Sequence, residues 1–296
     1  MLFAIRSGSS RFNYHKREPA PGLGRYINHM HHAPPPTAHA NSPGYTIVRG
    51  VVSPGEVAAL LSAAMEQVAA GPVPGLYDEH HIMAADEPLA RWPRMLQPHR
   101  FTDLTIGRLV HQLMLDERLL SPVRNLMGGE PLAAQSMMYF KPPGARGQDL
   151  HQDDFYLRSA PTPCMAAWIA LDPADSENGG LNVVPGSQHC ALLPVRATDK
   201  KRFFAEDAVD VPPGMTAVPT TLAPGDVLFF DGRVIHGSGP NTSTTRFRRS
   251  CICHYVVRGT TELNPWNNPV LSRDGQASVV PEAPVGPWRD GSFAKN

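Results

Sequence analysis

Gln135-Ser136-Met137-Met138-Tyr139-Phe140-Lys141 is followed by Pro142-Pro143-Gly144 and then by Leu150-His151-Gln152-Asp153-Asp154-Phe155-Tyr156-Leu157. In the first run, Gln135, Met137, Tyr139 and Lys141 fall on one face of a strand, because side chains alternate along an extended chain. The Pro-Pro-Gly segment turns the chain. Read as a second strand, the next run points His151 and Asp153 the same way and Asp154 the other. One imidazole and one carboxylate then grip one metal from a single rigid element. A bare H-x-D is a weak signal, so the context has to supply the rest.

The third ligand is sought in Asp231-Gly-Arg-Val-Ile-His-Gly-Ser-Gly-Pro-Asn241, which offers His236. Two imidazoles and one carboxylate make the three-ligand face of non-haem Fe(II) oxygenases, with the opposite positions open. The same set suits a zinc hydrolase.

Outward from this stretch, the grammar stays that of short strands with Gly and Pro turns. Met165–Leu171, Leu181–Val184, Gly225–Asp231 and Phe247–Val257 all read as strands, with turns at Glu177–Gly180 and Pro185–Ser187. Upstream, Tyr45–Val52 reads as a strand. Ser53 with Glu56 forms a capping box and Pro54 occupies the first turn of a helix. Val57, Leu60, Leu61, Ala64, Met65 and Val68 make its single apolar stripe, and Gly71-Pro72 ends it. Helical patterning returns at Ile106–Met114 and Leu119–Met127.

Helices first and short strands afterwards predict a mainly β fold with flanking helices, an antiparallel sandwich or barrel. The expected organisation is a tail over 1–43 and a domain over 44–258, with helical support over 53–128 and the β core over 135–257. An extension over 259–296 is expected to lie along the surface. His29, His31, His32 and His39 of the tail receive no role. Residues 72–100, rich in proline, read equally as a lid or binding loop and as a meandering surface connection, and substrate specificity is expected there and in the loops after 157 and 190. Alone, His111, His189 and His254 read as hydrogen-bonded structural histidines, and Lys141 as a residue before a turn.

Lys+Arg and Asp+Glu are equal at 27 each, with a pI near 7.2. That balance argues against a partner that is nucleic acid or an anionic membrane. The four cysteines form no disulfide framework, which points to a reducing compartment, read as the cytoplasm. No apolar run reaches the length of a membrane span. Met1–Ile5 is too short for a signal-peptide core. Arg6, Arg11, Lys16 and Arg17 precede the first acidic residue, Glu18, a faint transit-peptide pattern against which an unstructured tail is preferred. Oligomeric state is left open.

If the metal is Fe(II), activating O₂ needs further electrons, and a 2-oxo acid cosubstrate supplies them. Its far carboxylate then needs a cation, and arginine binds carboxylates bidentately and stays charged when buried. Arg246, Arg248 and Arg249 lie 10 to 13 residues after His236. Arg248 shares a strand face with Ser250 and Arg249 takes the other, so spacing alone does not choose.

Taken in order, Met138-Tyr-Phe-Lys-Pro-Pro-Gly144, His151-Gln-Asp153, Trp168-Ile-Ala, Glu177-Asn-Gly-Gly180, Pro185-Gly-Ser187, Gly225-Asp-Val227 and His236-Gly-Ser-Gly-Pro-Asn241 resemble the phytanoyl-CoA dioxygenase family. These are iron- and 2-oxoglutarate-dependent oxygenases on a double-stranded β-helix (jelly-roll, cupin-like) fold, and the resemblance covers roughly residues 44–257. It implies that His151, Asp153 and His236 hold Fe(II). It selects Arg248, six residues before His254, for the oxoglutarate carboxylate, with Arg246 the weaker rival. Met137, Trp168 and Ser238 fall where the family places further oxoglutarate contacts.

The implied reaction uses O₂ and 2-oxoglutarate, with ascorbate in support, to hydroxylate an aliphatic C–H of a small-molecule substrate, releasing succinate and CO₂. Related iron halogenases lack the carboxylate ligand, so Asp153 favours hydroxylation. Two other readings stand beside this one: the zinc hydrolase, which leaves Arg248 without a purpose, and a catalytically silent jelly roll that binds metal or ligand. No acyl-CoA or other substrate signature is legible.

Overall fold

The computed structural model describes residues 42–78 and 85–284, so the tail histidines named above lie outside the described residues. Helices come first: α1 (Pro54–Ala70), α2 (Thr105–Met114) and α3 (Glu117–Met127), with a single turn α4 (Asp154–Leu157) later in the chain. The strands are β1 (Tyr45–Val48), β2 (Met95–Leu96), β3 (Pro131–Lys141), β4 (Gln148–His151), β5 (Met165–Ala170), β6 (Leu181–Val183) and β7 (Arg196–Ala197). They continue with β8 (Asp207–Ala208), β9 (Val218–Pro219), β10 (Val227–Asp231), β11 (His236–Ser238), β12 (Arg248–Val257), β13 (Val270–Leu271) and β14 (Ala277–Ser278).

The N-terminal elements follow their local signals. Ser53 accepts from the Glu56 amide while the Glu56 carboxylate accepts from the Ser53 amide, closing the capping box at the start of α1. Gly71 ends that helix, and Gly128, at φ +68°, ends α3 in the left-handed conformation glycine tolerates. The first strand is shorter than its apolar run. Arg49 and Gly50 turn away at Val48, where Asp226 receives both the Arg49 guanidinium (2.6 Å) and the Gly50 amide (2.9 Å).

An antiparallel sheet runs β1-β10-β5-β12-β3-β13-β14, with β2 added on β3, and a second runs β4-β11-β6-β9. Side-chain alternation sorts the large sheet into two faces. Ala167, Ile169, Val227, Phe229, Cys251, Cys253 and Tyr255 turn outward and pack with Leu60, Val110, Leu113, Leu119 and Leu120 of the helices. Ala166, Trp168, Leu228, Phe230 and Ile252 turn inward and meet Leu181 and Val183 of the small sheet. Two facing antiparallel sheets braced by helices on one outer face form the jelly roll, and its interior holds the site.

Two expectations need correction. The segment 72–100 is not a loop throughout: Met95 and Leu96 pair with Met138 and Met137, and Leu76 and Met95 are fully buried. Residues 79–84 within it lie outside the described residues. Residues 259–284 do not simply lie along the surface either. Leu271 pairs with Ala133, and Leu263, Val270 and Val280 bury against Leu132, Ala134 and Val256, because these apolar side chains complete a face of β3 and β12 that would otherwise be wet.

Candidate metal and cosubstrate site

The interior faces of β4 and β11 place His151 and His236 directly opposite each other in register, with ring centroids 4.3 Å apart. Each ring is aimed by its own strand. His151 Nδ1 lies 2.8 Å from the Asp149 carbonyl and His236 Nδ1 lies 3.0 Å from the Val234 carbonyl. A carbonyl only accepts, so Nδ1 carries the proton in both rings. Each Nε2 is therefore the unprotonated nitrogen; that of His236 lines the cavity, and that of His151 accepts from the Gln148 side-chain amide at 3.1 Å, a contact a metal would replace.

Asp153 completes the group. Its Oδ1 lies 3.4 Å from His151 Nε2 and 3.6 Å from His236 Nε2, and one ligand atom from each of the three residues lies within 4.8 Å of the others. Its Oδ2 accepts from His254 Nε2 at 2.9 Å. Burial works to raise the Asp153 pKa, but the neighbouring imidazoles, His236 first and then His254, and the hydrogen bond from His254 hold it well below the usual carboxylate range. Burial pushes His236 down to about 4, so its imidazole is neutral near pH 7. An ionised carboxylate beside the neutral His236 imidazole and the Nδ1-anchored His151 ring is a donor set that could hold a divalent metal.

Asp153 does not reach this position by strand alternation. β4 ends at His151, and Asp153 is helical (φ −64°, ψ −33°) at the start of α4, its carbonyl accepting from Tyr156 and Leu157 amides. Gln152 makes the change of course possible. Its buried side chain donates to the Arg233 carbonyl (2.9 Å) and accepts from the Leu193 amide (2.8 Å), pinning the strand end between two loops.

Asp154 faces away, as expected, though through this turn and not through a strand. It is buried, accepting from the Ser159 hydroxyl (2.7 Å) and amide (3.2 Å) and the Cys164 amide (3.3 Å), and burial raises its pKa. Asp154→Ala should therefore leave metal affinity nearly unchanged while costing about 2 kcal/mol of stability through orphaned donors. Thermal unfolding beside a Mn(II) titration checks both halves. A variant that keeps its melting temperature but loses Mn(II) would reverse the assignment.

The cosubstrate end lies deeper. Arg248 opposes Lys141 across β12 and β3, on the face shared with Ser250, Ile252 and His254. Its guanidinium is 3% exposed, donates to the Ser250 hydroxyl at 2.8 Å and sits 5.5 Å from the centre of the Trp168 ring. Its Nε has no hydrogen-bond partner, and no carboxylate pairs with it among the described residues. Burial lowers its pKa to about 10, which still leaves it charged. A buried cation without an anion implies a missing anionic group.

The neighbouring arginines are engaged elsewhere. Arg249 faces outward onto Asp172 (2.7 Å), and Arg246 pairs with Asp175 (2.5 Å) and Glu177 (3.1 Å). Met137, Trp168 and Ser238 line the same cavity as Arg248 and the His-Asp-His group, a space of about 540 Å³ open to solvent.

Sequence reasoning missed two residues here. His254 is more than a structural histidine, since it holds Asp153. Lys141 is 2% exposed inside the site and not simply a residue before a turn. Its inward strand parity was the available signal.

The profile of the phytanoyl-CoA dioxygenase (PhyH) family matches residues 40–250. The chain is 34% identical over 122 residues to phytanoyl-CoA dioxygenase 1 of Oryza sativa subsp. japonica, covering 38% of this chain and 41% of that protein. It is 26% identical over 239 residues to the peroxisomal phytanoyl-CoA dioxygenase of Mus musculus, covering 75% and 70% respectively. The chain thus spans less than half the length of its rice relative. The crystal structure of EvdO2 from Micromonospora carbonacea var. aurantiaca complexed with 2-oxoglutarate superposes with a TM-score of 0.56 at 25% identity, covering 73% of this chain and 87% of that one.

Proposed function

The chain belongs to the phytanoyl-CoA dioxygenase family, and we propose that it is an Fe(II)- and 2-oxoglutarate-dependent dioxygenase that hydroxylates an aliphatic C–H of a small-molecule substrate, releasing succinate and CO₂. The observation that carries this reading is the buried, anion-less Arg248 in the same cavity as His151, Asp153 and His236. A zinc hydrolase would have no use for that guanidinium, which answers the far carboxylate of oxoglutarate. We place the catalytic domain at 44–258, with 259–296 as an extension of it.

His151, Asp153 and His236 would hold the iron, which when bound supplies O₂ activation at the expense of oxoglutarate decarboxylation. The chain's own part is binding and exclusion. Arg248 and Ser238 hold the far carboxylate of oxoglutarate, and Trp168 and Met137 wall it from water. Asp153 stays ionised because His254 donates to its second oxygen. Leu89, Phe204, Arg146 and Gln148 line the same cavity, where the substrate would meet the metal. Four free thiols, three of them buried, suit the reducing cytoplasm. No helix among the described residues is long and apolar enough to cross a membrane.

Purified protein with Fe(II), ascorbate and O₂ is expected to convert 2-oxoglutarate to succinate slowly without substrate and faster with it, because substrate displaces water from the cavity. Iron-loaded protein that yields no succinate with any substrate tried would favour the silent binding protein. Hydrolysis that depends on zinc and ignores oxoglutarate would favour the hydrolase.

A further inference from the structure

Lys141 is an expensive residue to place where it is. Its amine lies 2.7 Å from the Ser238 hydroxyl, 2.8 Å from the Gly239 carbonyl and 3.2 Å from the Gly179 carbonyl, opposite Arg248 in the strand register. Gly179 makes room for it. A Cβ there would stand 2.6 Å from Lys141 Cδ and 2.9 Å from Nζ, at a φ of +76° that other residues rarely adopt.

The hydrogen-bond inventory of Ser238 is what this contact decides. A hydroxyl has two acceptor lone pairs and one donor proton. The Gln148 backbone amide donates to Ser238 Oγ at 3.4 Å, and Lys141 Nζ, which meets three oxygens with the three N–H groups of its ammonium form, donates to it at 2.7 Å. Both lone pairs are then occupied, and the Ser238 proton has to donate outward, into the cavity that Arg248 faces. A neutral Lys141 would instead accept that proton and turn the hydroxyl away.

We infer that Lys141 is a positioning residue for the oxoglutarate carboxylate, acting through Ser238 by fixing its hydroxyl as a donor into the cavity. This inference rests on the proposed function above. Burial, and next to it the Arg248 charge, push the Lys141 amine well below its usual pKa. An arriving carboxylate near both cations offsets that cost, so anion binding and the donor orientation of Ser238 support each other.

The test is calorimetric binding to anaerobic, Mn(II)-loaded protein, with 2-oxoglutarate and with 2-oxobutyrate, which has the chelating keto acid but no far carboxylate. Lys141→Met should raise the Kd for 2-oxoglutarate roughly 10-fold and leave that for 2-oxobutyrate almost unmoved, the loss of one charge-assisted hydrogen bond. Ser238→Ala should do the same, and the double variant should be no worse than Lys141→Met alone. Ser238→Ala, which leaves Lys141 in place, carries the test if Lys141→Met folds poorly. Equal weakening of both ligands would reveal a merely structural lysine, and additive costs in the double variant a lysine acting independently of Ser238. Either result overturns the inference. Wild type that binds 2-oxobutyrate and 2-oxoglutarate equally, or neither, sinks the proposed function and this inference with it.

Discussion

Asp153→Ala is expected to abolish conversion of 2-oxoglutarate to succinate and to weaken Mn(II) or Fe(II) binding by more than the ~10–100-fold typical of losing an outer-shell partner. The carboxylate is the only anionic group in the cluster with His151 and His236. Removing it leaves two neutral imidazoles facing a divalent cation and strands the buried His254 Nε2–H, which now donates to Asp153 at 2.9 Å. His254→Phe should fall between Asp153→Ala and wild type, since it removes the support and keeps the ligand. Metal titration followed by a succinate assay separates the steps. Retention of full metal affinity by Asp153→Ala would mean that the metal, if any, binds elsewhere.

Arg248→Ala carries the second large effect. The oxoglutarate concentration for half-maximal turnover should rise about 100-fold or more, the scale of truncating one partner of a buried charge pair, while Mn(II) binding stays as in wild type. Arg246→Ala is the control. Its partly exposed guanidinium is spent on Asp175 and Glu177, and such pairs are worth little to stability and nothing to the cavity. The opposite pattern, a silent Arg248→Ala and an oxoglutarate defect in Arg246→Ala, would move the anion site to the rim.

Most of this architecture was legible in one dimension because its elements announce themselves locally. The Ser53–Glu56 box needs four residues to be read and closes as written. The parity of β12 separates Arg248, Ile252 and His254 from Cys251 and Cys253, and the cavity and the helix-covered face divide them accordingly. Choosing Arg248 over Arg246 took a family resemblance, since parity puts both on one face.

What parity cannot say is where a strand stops or what meets it from across the barrel. The H-Q-D run was readable as a metal-binding pair, yet Asp153 arrives there through a helical turn. The partners of Gln152, the Arg233 carbonyl and Leu193 amide, are dozens of residues away and decide that β4 ends at His151. The pairings of His254 with Asp153 and of Lys141 with Ser238 likewise span 101 and 97 positions. Strand periodicity determined which side of its own strand Lys141, Ser238 and His254 occupy. Their partners were decided only when strand register and sheet packing brought distant segments within hydrogen-bond reach, because a side chain's local pattern carries no information about which distant backbone will face it.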